Sequence, residues 1–156
     1  MLHYGDQTYR QALQVALDPR LRATPAALKQ HLALQLELQR TLDVLDRKIN
    51  AAIEVRQKLA QAVAAHQIEA PAAAPVLGAL EQAIQAVVYR GVRSSEGDVM
   101  HEMLLRSRLA YLQSDIGLDY AAPDPAMVAA VRKLETAAQQ GEVRLQAATA
   151  AGRRML

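Results

Sequence analysis

The chain has 156 residues, of which 51% are nominally hydrophobic, but 31 are alanine and none is Phe, Trp or Cys. The core must therefore be built from Leu, Val, Ile, Met and Ala, which suits closely packed helices and argues against an all-β sandwich or barrel. The missing cysteines exclude disulfides, thiolate metal ligands and a cysteine nucleophile, and 18 basic against 16 acidic residues do not favour binding to nucleic acid.

The first segment has the pattern of a β-strand. From Gln7 to Leu17, larger side chains occupy the odd positions and mostly polar or small ones the even positions, a period of two. Gly5-Asp6 offers a tight turn, with Leu2 to Tyr4 as a short preceding strand. Because a lone hairpin is marginal in water, we interpret residues 1–20 as the truncated end of a β module.

Residues 21–156 are predicted to be helical. Thr24 is a good N-cap and Pro25 suits the first helical position, and apolar residues then recur at spacings of three and four to about His66. This first helix would be roughly 60 Å long. A Pro/Ala connector unsuited to helix is predicted from Glu69 to Pro75, and a second helix from Val76 to Val88.

Two further helices are predicted after that. Ser95 and Asp98 resemble a capping box that opens a third helix, and Asp124-Pro125 repeats the cap-plus-proline start before a fourth. The fourth helix has small residues, such as Gly141, where backbones would approach closely, and the end from Gly152 is expected to fray. The predicted fold class is all-α: an up-and-down helical bundle with coiled-coil character and one very long first helix, preceded by a short N-terminal β-strand or hairpin.

The longest uncharged apolar stretch, Ala70 to Leu80, contains two prolines and is too short to cross a bilayer. The start of the sequence also lacks the form of a signal peptide. The sequence alone therefore leaves the compartment open.

Asp98, His101 and Glu102 are the candidate metal ligands, because a carboxylate three residues before a histidine resembles half of a di-metal bundle site. The fourth helix offers Glu135 and Glu142 but no nearby histidine. We therefore favour a solvated first helical turn whose acidic residues suit the helix dipole. No metal site and no cofactor site is predicted.

His31 and His66 lie near the two ends of the long helix, where a partly buried or flanking histidine is favoured over a ligand. Asp115, Asp119 and Asp124 cluster near one loop, but glycoside hydrolysis would need an aromatic-lined cleft, and Asp124 is better used as an N-cap.

No serine lies in a Gly-x-Ser-x-Gly context, and no glycine-rich phosphate loop is present.

A basic patch could form from several arginines, but we interpret them as surface residues facing Glu96 and Glu102. The arginines in question are Arg90, Arg93, Arg106, Arg108, Arg153 and Arg154. No catalytic residue is predicted.

The order of these segments resembles a known family. The run GDQTYRQALQVALDPR (residues 5–20), followed by TPAAL (24–28) and a long leucine-rich helix, resembles the C-terminal region of bacterial sortilin-like proteins. These proteins carry Asp-box (BNR) repeats and are commonly classed as glycosyl hydrolases. Their β-propeller is followed by an immunoglobulin-like module whose last strand has this form, and then by a helical tail. Residues 109–115 and 121–123 also resemble that tail.

The resemblance implies a non-catalytic C-terminal helical module for packing, spacing or association, taken from an exported parent protein. The propeller is absent from this chain, and Ser114-Asp115-Ile116-Gly117 does not have Asp-box spacing. No catalytic residue of the family can therefore be assigned here, and we expect no enzyme activity. Expected partners are proteins, either the parent's N-terminal domains or a second copy. The alternative is a free-standing dimerising helical adaptor or coiled-coil interaction protein.

Overall fold

The computed structural model describes residues 2–12, 16, 18, 23–88, 103–116 and 122–156. Two short strands come first, β1 (Leu2–Tyr4) and β2 (Gln7–Tyr9). Four helices follow, and they are α1 (Pro25–Ala64), α2 (Ala70–Gln85), α3 (Leu105–Ile116) and α4 (Pro125–Arg153). The predicted all-α class, with a long first helix after a short hairpin, is confirmed.

The N-terminal hairpin is shorter than the sequence pattern suggests. β1 and β2 pair antiparallel with Tyr4 opposite Gln7, and Gly5 in the turn has a positive φ of 55°, which glycine adopts without steric cost. Among the described residues pairing ends at Tyr9, and residues 10–12 are not in a strand, which contradicts the predicted strand over those three positions. Residues 13–15 and 17, the remainder of the predicted strand apart from residue 16, lie outside the described residues. No described helix contacts the hairpin.

The start of α1 is the one predicted from local chemistry. The Thr24 hydroxyl accepts a hydrogen bond from the Ala27 N–H at 3.1 Å, with Pro25 in the first turn. At the other end, His66 takes a left-handed conformation with φ 57°. Its N–H bonds to the Val63 carbonyl while the Gln67 N–H bonds to the Ala62 carbonyl, the pattern of a Schellman cap. His66 is therefore the residue after the C-cap of α1, and its left-handed conformation ends the helix.

The connector predicted from Glu69 to Pro75 is wrong, because α2 already begins at Ala70. The N–H groups of Ala72 and Ala73 both bond to the Glu69 carbonyl at 3.1 Å. Proline is tolerated in a first helical turn, where Pro71 lies, whereas Pro75 lies inside the helix, where a proline is unfavourable. The alanines around Pro75 have the highest helix propensity of any residue, and Ala73 is completely buried, so propensity and packing stabilise this part of α2.

α2 and α3 run one after the other, antiparallel to α1. Arg56 of α1 pairs with Glu81 of α2, while Gln39, nearer the start of α1, bonds to Gln113 near the end of α3. Between the two helices, the Val87 carbonyl accepts a hydrogen bond from the Arg106 N–H at 3.0 Å. Together, α2 and α3 therefore form a second column of the bundle beside α1, and we call their meeting point the α2–α3 joint.

α4 forms the third column and runs parallel to α1. Thr41 lies near Glu135, and farther along both helices Lys48 donates to Gln146. Of the three shorter helices, α2 and α3 fold back along α1 as expected, whereas α4 runs parallel to α1 and antiparallel to α2 and α3. The three columns therefore alternate in direction, and the predicted up-and-down bundle is confirmed. α1 contacts the other three helices, and α4 contacts α2 and α3.

Leucine, isoleucine and valine fill the core between the columns, as the composition required. The largest fully buried side chains come from all four helices and are Leu38, Leu45, Leu59, Leu80, Ile84, Leu109, Ile116, Val131 and Leu145. The small residues of α4 lie at close approaches, because a Cβ added to Gly141 would be 2.8 Å from Val87 Cγ1. Fraying from Gly152 is contradicted, since Gly152 is buried and α4 continues to Arg153.

None of the helices in the described part of the chain combines the length and hydropathy needed to span a bilayer. Coiled-coil supercoiling stays a prediction.

Candidate functional site

The candidate metal ligands Asp98, His101 and Glu102 lie outside the described residues, together with the predicted Ser95 cap. Among the residues that are described, no group of three or more His, Cys, Asp or Glu side chains is placed to hold a metal ion. Asp115 is exposed on α3 and Asp119 is outside the described ranges.

Asp124 is the N-cap that the sequence predicts. Its carboxylate accepts a hydrogen bond from the Met127 N–H at 2.6 Å, which satisfies one of the free N–H groups of the first turn of α4. This side chain is therefore committed to the start of the helix.

The structure describes some of the arginines of the possible basic patch and not others. Arg90 and Arg93 lie outside the described residues. Arg106 does not pair with a neighbouring acid of its own segment: it binds Asp46 of α1 through two hydrogen bonds of 2.7 and 2.8 Å. The bond to Asp46 raises the pKa of the Arg106 guanidinium above its ordinary value, and partial burial opposes this effect. This bidentate pair fixes the start of α3 against α1.

A small acidic cluster lies between α1 and α4 and contains Glu37, Glu135 and Glu142. Burial raises the pKa of the Glu135 carboxyl above its ordinary value of 4.5, and the nearby Glu37 carboxylate raises it further. The Thr41 hydroxyl, 3.4 Å away, acts in the opposite direction. The cluster is open to solvent and Arg40 lies in it, so it has no enclosed space for a reacting substrate.

His31 is buried, as the sequence reading allowed, but without a hydrogen-bonding role. Only 5% of the residue is exposed, and neither ring nitrogen has a hydrogen-bond partner in the part of the chain that the structure describes. No histidine of the described ranges lines the acidic cluster of Glu37, Glu135 and Glu142.

A cavity of about 570 Å³ lies at the α2–α3 joint, on the side that faces α4. Apolar side chains from α2, the start of α3 and α4 form its floor, including Val87, Leu105 and Leu134. Three cationic side chains, Arg108, Lys133 and Arg144, also line it. We call this space the joint cavity.

A second concave surface continues from the joint cavity along α2 and α4. It has a volume of about 530 Å³, and its apolar lining consists of alanine alone. These residues are Ala79 and Ala83 of α2, Ala86 directly after it, and Ala147, Ala148 and Ala151 of α4. Gln82 and Arg144 are the polar residues that line it. We call this surface the alanine groove.

Sequence reasoning missed both concave surfaces. The spacing Lys133, Ala137, Gly141 and Arg144 places these positions on one face of a helix, and this signal was available. The contributions of α2 and α3 depend on where those helices meet, which no spacing within one helix reveals. Comparison of the chain with models of protein families, with curated proteins and with solved structures finds no match.

Proposed function

We propose that this chain is a non-catalytic helical module that acts by association with protein, and that it pairs with a second copy of itself through the alanine groove. The observation that carries the proposal is the groove itself, a continuous strip between α2 and α4 whose apolar lining is alanine alone. The groove presents no nucleophile, no carboxylate and no histidine among the residues described, so it is suited to packing.

Small side chains favour contact between helices because they let two helix axes approach to about 8 Å. The exposed members of the groove include Ala79, Ala86 and Ala147, and covering them removes apolar surface from water. Gln82 and Arg144, which also line the groove, must find hydrogen-bond partners across the contact or stay at its edge in water. A twofold dimer uses the same patch on both copies. An antiparallel arrangement of the two grooves would also place the two Arg144 side chains at opposite ends, so that like charges do not meet.

Sedimentation velocity over a wide range of protein concentration tests this proposal. The wild-type chain should show a concentration-dependent monomer–dimer equilibrium, and the double variant Ala79→Glu/Ala147→Glu should be monomeric, because it buries two carboxylates in the contact. Ala64→Glu/Ala129→Glu is the matched control, since both of its positions are exposed and neither lines the groove. A wild-type chain that stays monomeric at the highest concentration overturns self-association.

The hairpin favours a second candidate for the partner. It contacts none of the described helices, and Tyr4 and Tyr9 are 78% and 51% exposed, as expected for strands that complete a sheet formed by other residues. Together with the resemblance of residues 5–20, this supports the proposal that the module serves a sortilin-like Asp-box protein of the glycosyl-hydrolase type, in which any hydrolysis belongs to other domains.

The coding sequence upstream of Met1 tests this second candidate. An in-frame propeller and immunoglobulin-like module there would support it, and an in-frame stop codon directly upstream would contradict it. Both candidates expect the purified chain to contain no bound metal and to be inactive on glycosides. Stoichiometric metal or glycosidase turnover would contradict both.

A further inference from the structure

We propose that the joint cavity binds a small anionic amphiphile, a fatty-acid carboxylate, whose chain lies on the apolar floor while its head group pairs with the cations at the rim. This binding does not depend on the self-association proposed above, although Ala86 and Arg144 line both the joint cavity and the alanine groove.

The floor of the joint cavity is built from the ends of two helices and one face of a third. Val87 is almost completely buried there, and Leu104 and Leu105 approach from the start of α3. Gly141 of α4 has no side chain, which is what lets Val87 lie so close to it. The resulting volume of about 570 Å³ lies within the range of roughly 300–1,000 Å³ that is usual for sites that bind small molecules.

Among the described residues, the charged side chains around this floor are all positive. Arg108 of α3 and Lys133 and Arg144 of α4 line the cavity, and no described Asp or Glu does so. Some cations of the bundle are neutralised by ion pairs, Arg106 with Asp46 and Arg56 with Glu81. The three cations of the cavity make no ion pair or side-chain hydrogen bond within the described ranges of the chain, and what distinguishes them from other unpaired cations is that they line one apolar concave surface.

The described residues of the cavity combine an apolar concave surface with three cations that have no ion pair, and this combination favours one ligand chemistry. A neutral lipid would leave the cations without a counter-charge, and a cationic one would be repelled. A small polar anion such as phosphate would gain nothing from Met103, which is 42% exposed, or from the half-buried Leu104 and Leu105. A carboxylate on an alkyl chain suits both the apolar surface and the cations of the cavity. Its chain buries apolar surface, and its head group gives the guanidinium and ammonium groups a charged acceptor.

Isothermal titration calorimetry with dodecanoate, kept below its micelle concentration, tests the proposal on the full chain. We expect saturable binding at one site per chain, with dodecanol and dodecyltrimethylammonium, which have the same alkyl chain, bound at least about tenfold more weakly. Equal binding of all three probes, or no saturable binding of dodecanoate, overturns the proposal.

A charge-reversal variant then locates the site. Arg108→Glu/Lys133→Glu should weaken dodecanoate binding by about tenfold or more, because two attractive charges become repulsive. The control Arg47→Glu/Arg132→Glu changes the net charge by the same amount at exposed positions that do not line the cavity, and it should bind like wild type. If the two variants lose affinity equally, the binding reports only net charge and the proposed site is wrong.

A filling variant provides an independent test that leaves the charges unchanged. Ala137 is half-buried and lines the cavity, so Ala137→Phe should occupy the space of the alkyl chain and abolish dodecanoate binding. Circular dichroism melting checks that the variant is folded. Undiminished binding by folded Ala137→Phe contradicts a site in this cavity.

Discussion

His31 is a polar residue in a part of α1 where its neighbours in the core are apolar. It is 5% exposed and neither of its ring nitrogens has a partner among the described residues, and a buried polar group without a hydrogen bond costs about 1–3 kcal/mol. We therefore expect His31→Leu to raise the free energy of unfolding by about 1–2 kcal/mol, measured by urea denaturation at neutral pH. Gln30→Leu, at the exposed neighbouring position, should change it little. A loss of stability in His31→Leu would show that the imidazole contributes a favourable contact.

Glu135 gives the bundle a pH dependence whose sign is opposite to that of most carboxylates. Burial and the Glu37 carboxylate raise its pKa in the folded state above the ordinary value of 4.5. The folded chain therefore holds this proton more tightly than the unfolded chain, and the free energy of unfolding falls as pH rises from the unfolded to the folded pKa. Glu135→Gln should remove this decrease and stabilise the chain at neutral pH. Urea denaturation from about pH 4 to about pH 7 measures it.

Glu54 is the matched control for that experiment. Its hydrogen bond to Lys58 lowers its pKa below 4.5, so its contribution to stability is present above the unfolded pKa and is lost as pH falls through the folded one. Glu54→Gln should therefore change the pH profile in the opposite direction. The same change of slope in both variants would contradict the assignment to Glu135.

At the scale of the helices, the glycines of α4 determine how closely the columns pack. A Cβ on Gly152 would overlap Val55 Cγ1 and lie 3.2 Å from Leu80 Cδ1, and forcing extra atoms into a packed core costs about 1–3 kcal/mol. Gly152→Ala should therefore lower the midpoint of thermal unfolding even though alanine is the better helix former. Gly78→Ala is the control, because nothing lies within 4 Å of the added Cβ. The free energy of unfolding of Gly78→Ala should rise by roughly 0.8–1 kcal/mol, because alanine is the better helix former. If Gly152→Ala and Gly78→Ala were both stabilised, α4 would be able to move away from Val55 and Leu80 without loss of packing, which contradicts a close approach at Gly152.

The α2–α3 joint predicts which deletion the fold tolerates. The Val87 carbonyl and the Arg106 N–H are bonded as residues i and i+4 of one helix would be. Removing residues 89–103 makes them i and i+4 in sequence, so this variant should form a single helix from Ala70 to Ile116 and keep a cooperative thermal transition. Removing residues 89–102 instead rotates α3 by about 100°, which turns Leu109 and Ile116 out of the core. Circular dichroism melts should separate the two variants, and equal stability would contradict a continuous column.

For the whole molecule, the sequence predicts what depends on local chemistry. Thr24 and Asp124 cap the helices that they were expected to cap, because a cap needs only a side-chain oxygen next to free N–H groups. The start of α2 was missed because the prolines at 71 and 75 suggest a connector, while the burial of Ala73 belongs to tertiary packing.

The arrangement of the columns also could not be predicted from periodicity. A stripe of apolar residues indicates which face of a helix is buried but not whether its neighbour runs parallel or antiparallel. The succession of α2 and α3 and the parallel course of α4 are therefore results of the structure. The joint cavity depends on that arrangement, since Arg108 lines the same cavity as Lys133 and Arg144 only because α3 and α4 are adjacent.

Because α1 contacts each of the other helices, damage at its centre should unfold all three columns together. Ile49 is 4% exposed in the middle of α1. Ile49→Asp loses about 1.5–3 kcal/mol of apolar burial and places a carboxylate in the core, against a total stability of about 5–15 kcal/mol for a domain. We expect no cooperative melt by circular dichroism.

Two other variants serve as comparisons. Leu112→Asp, at a half-buried position of α3, should lower the melting midpoint without abolishing the transition. Leu32→Asp, at a 55% exposed position of α1, should melt like wild type. A cooperative melt of Ile49→Asp would mean that the other helices form a core without α1.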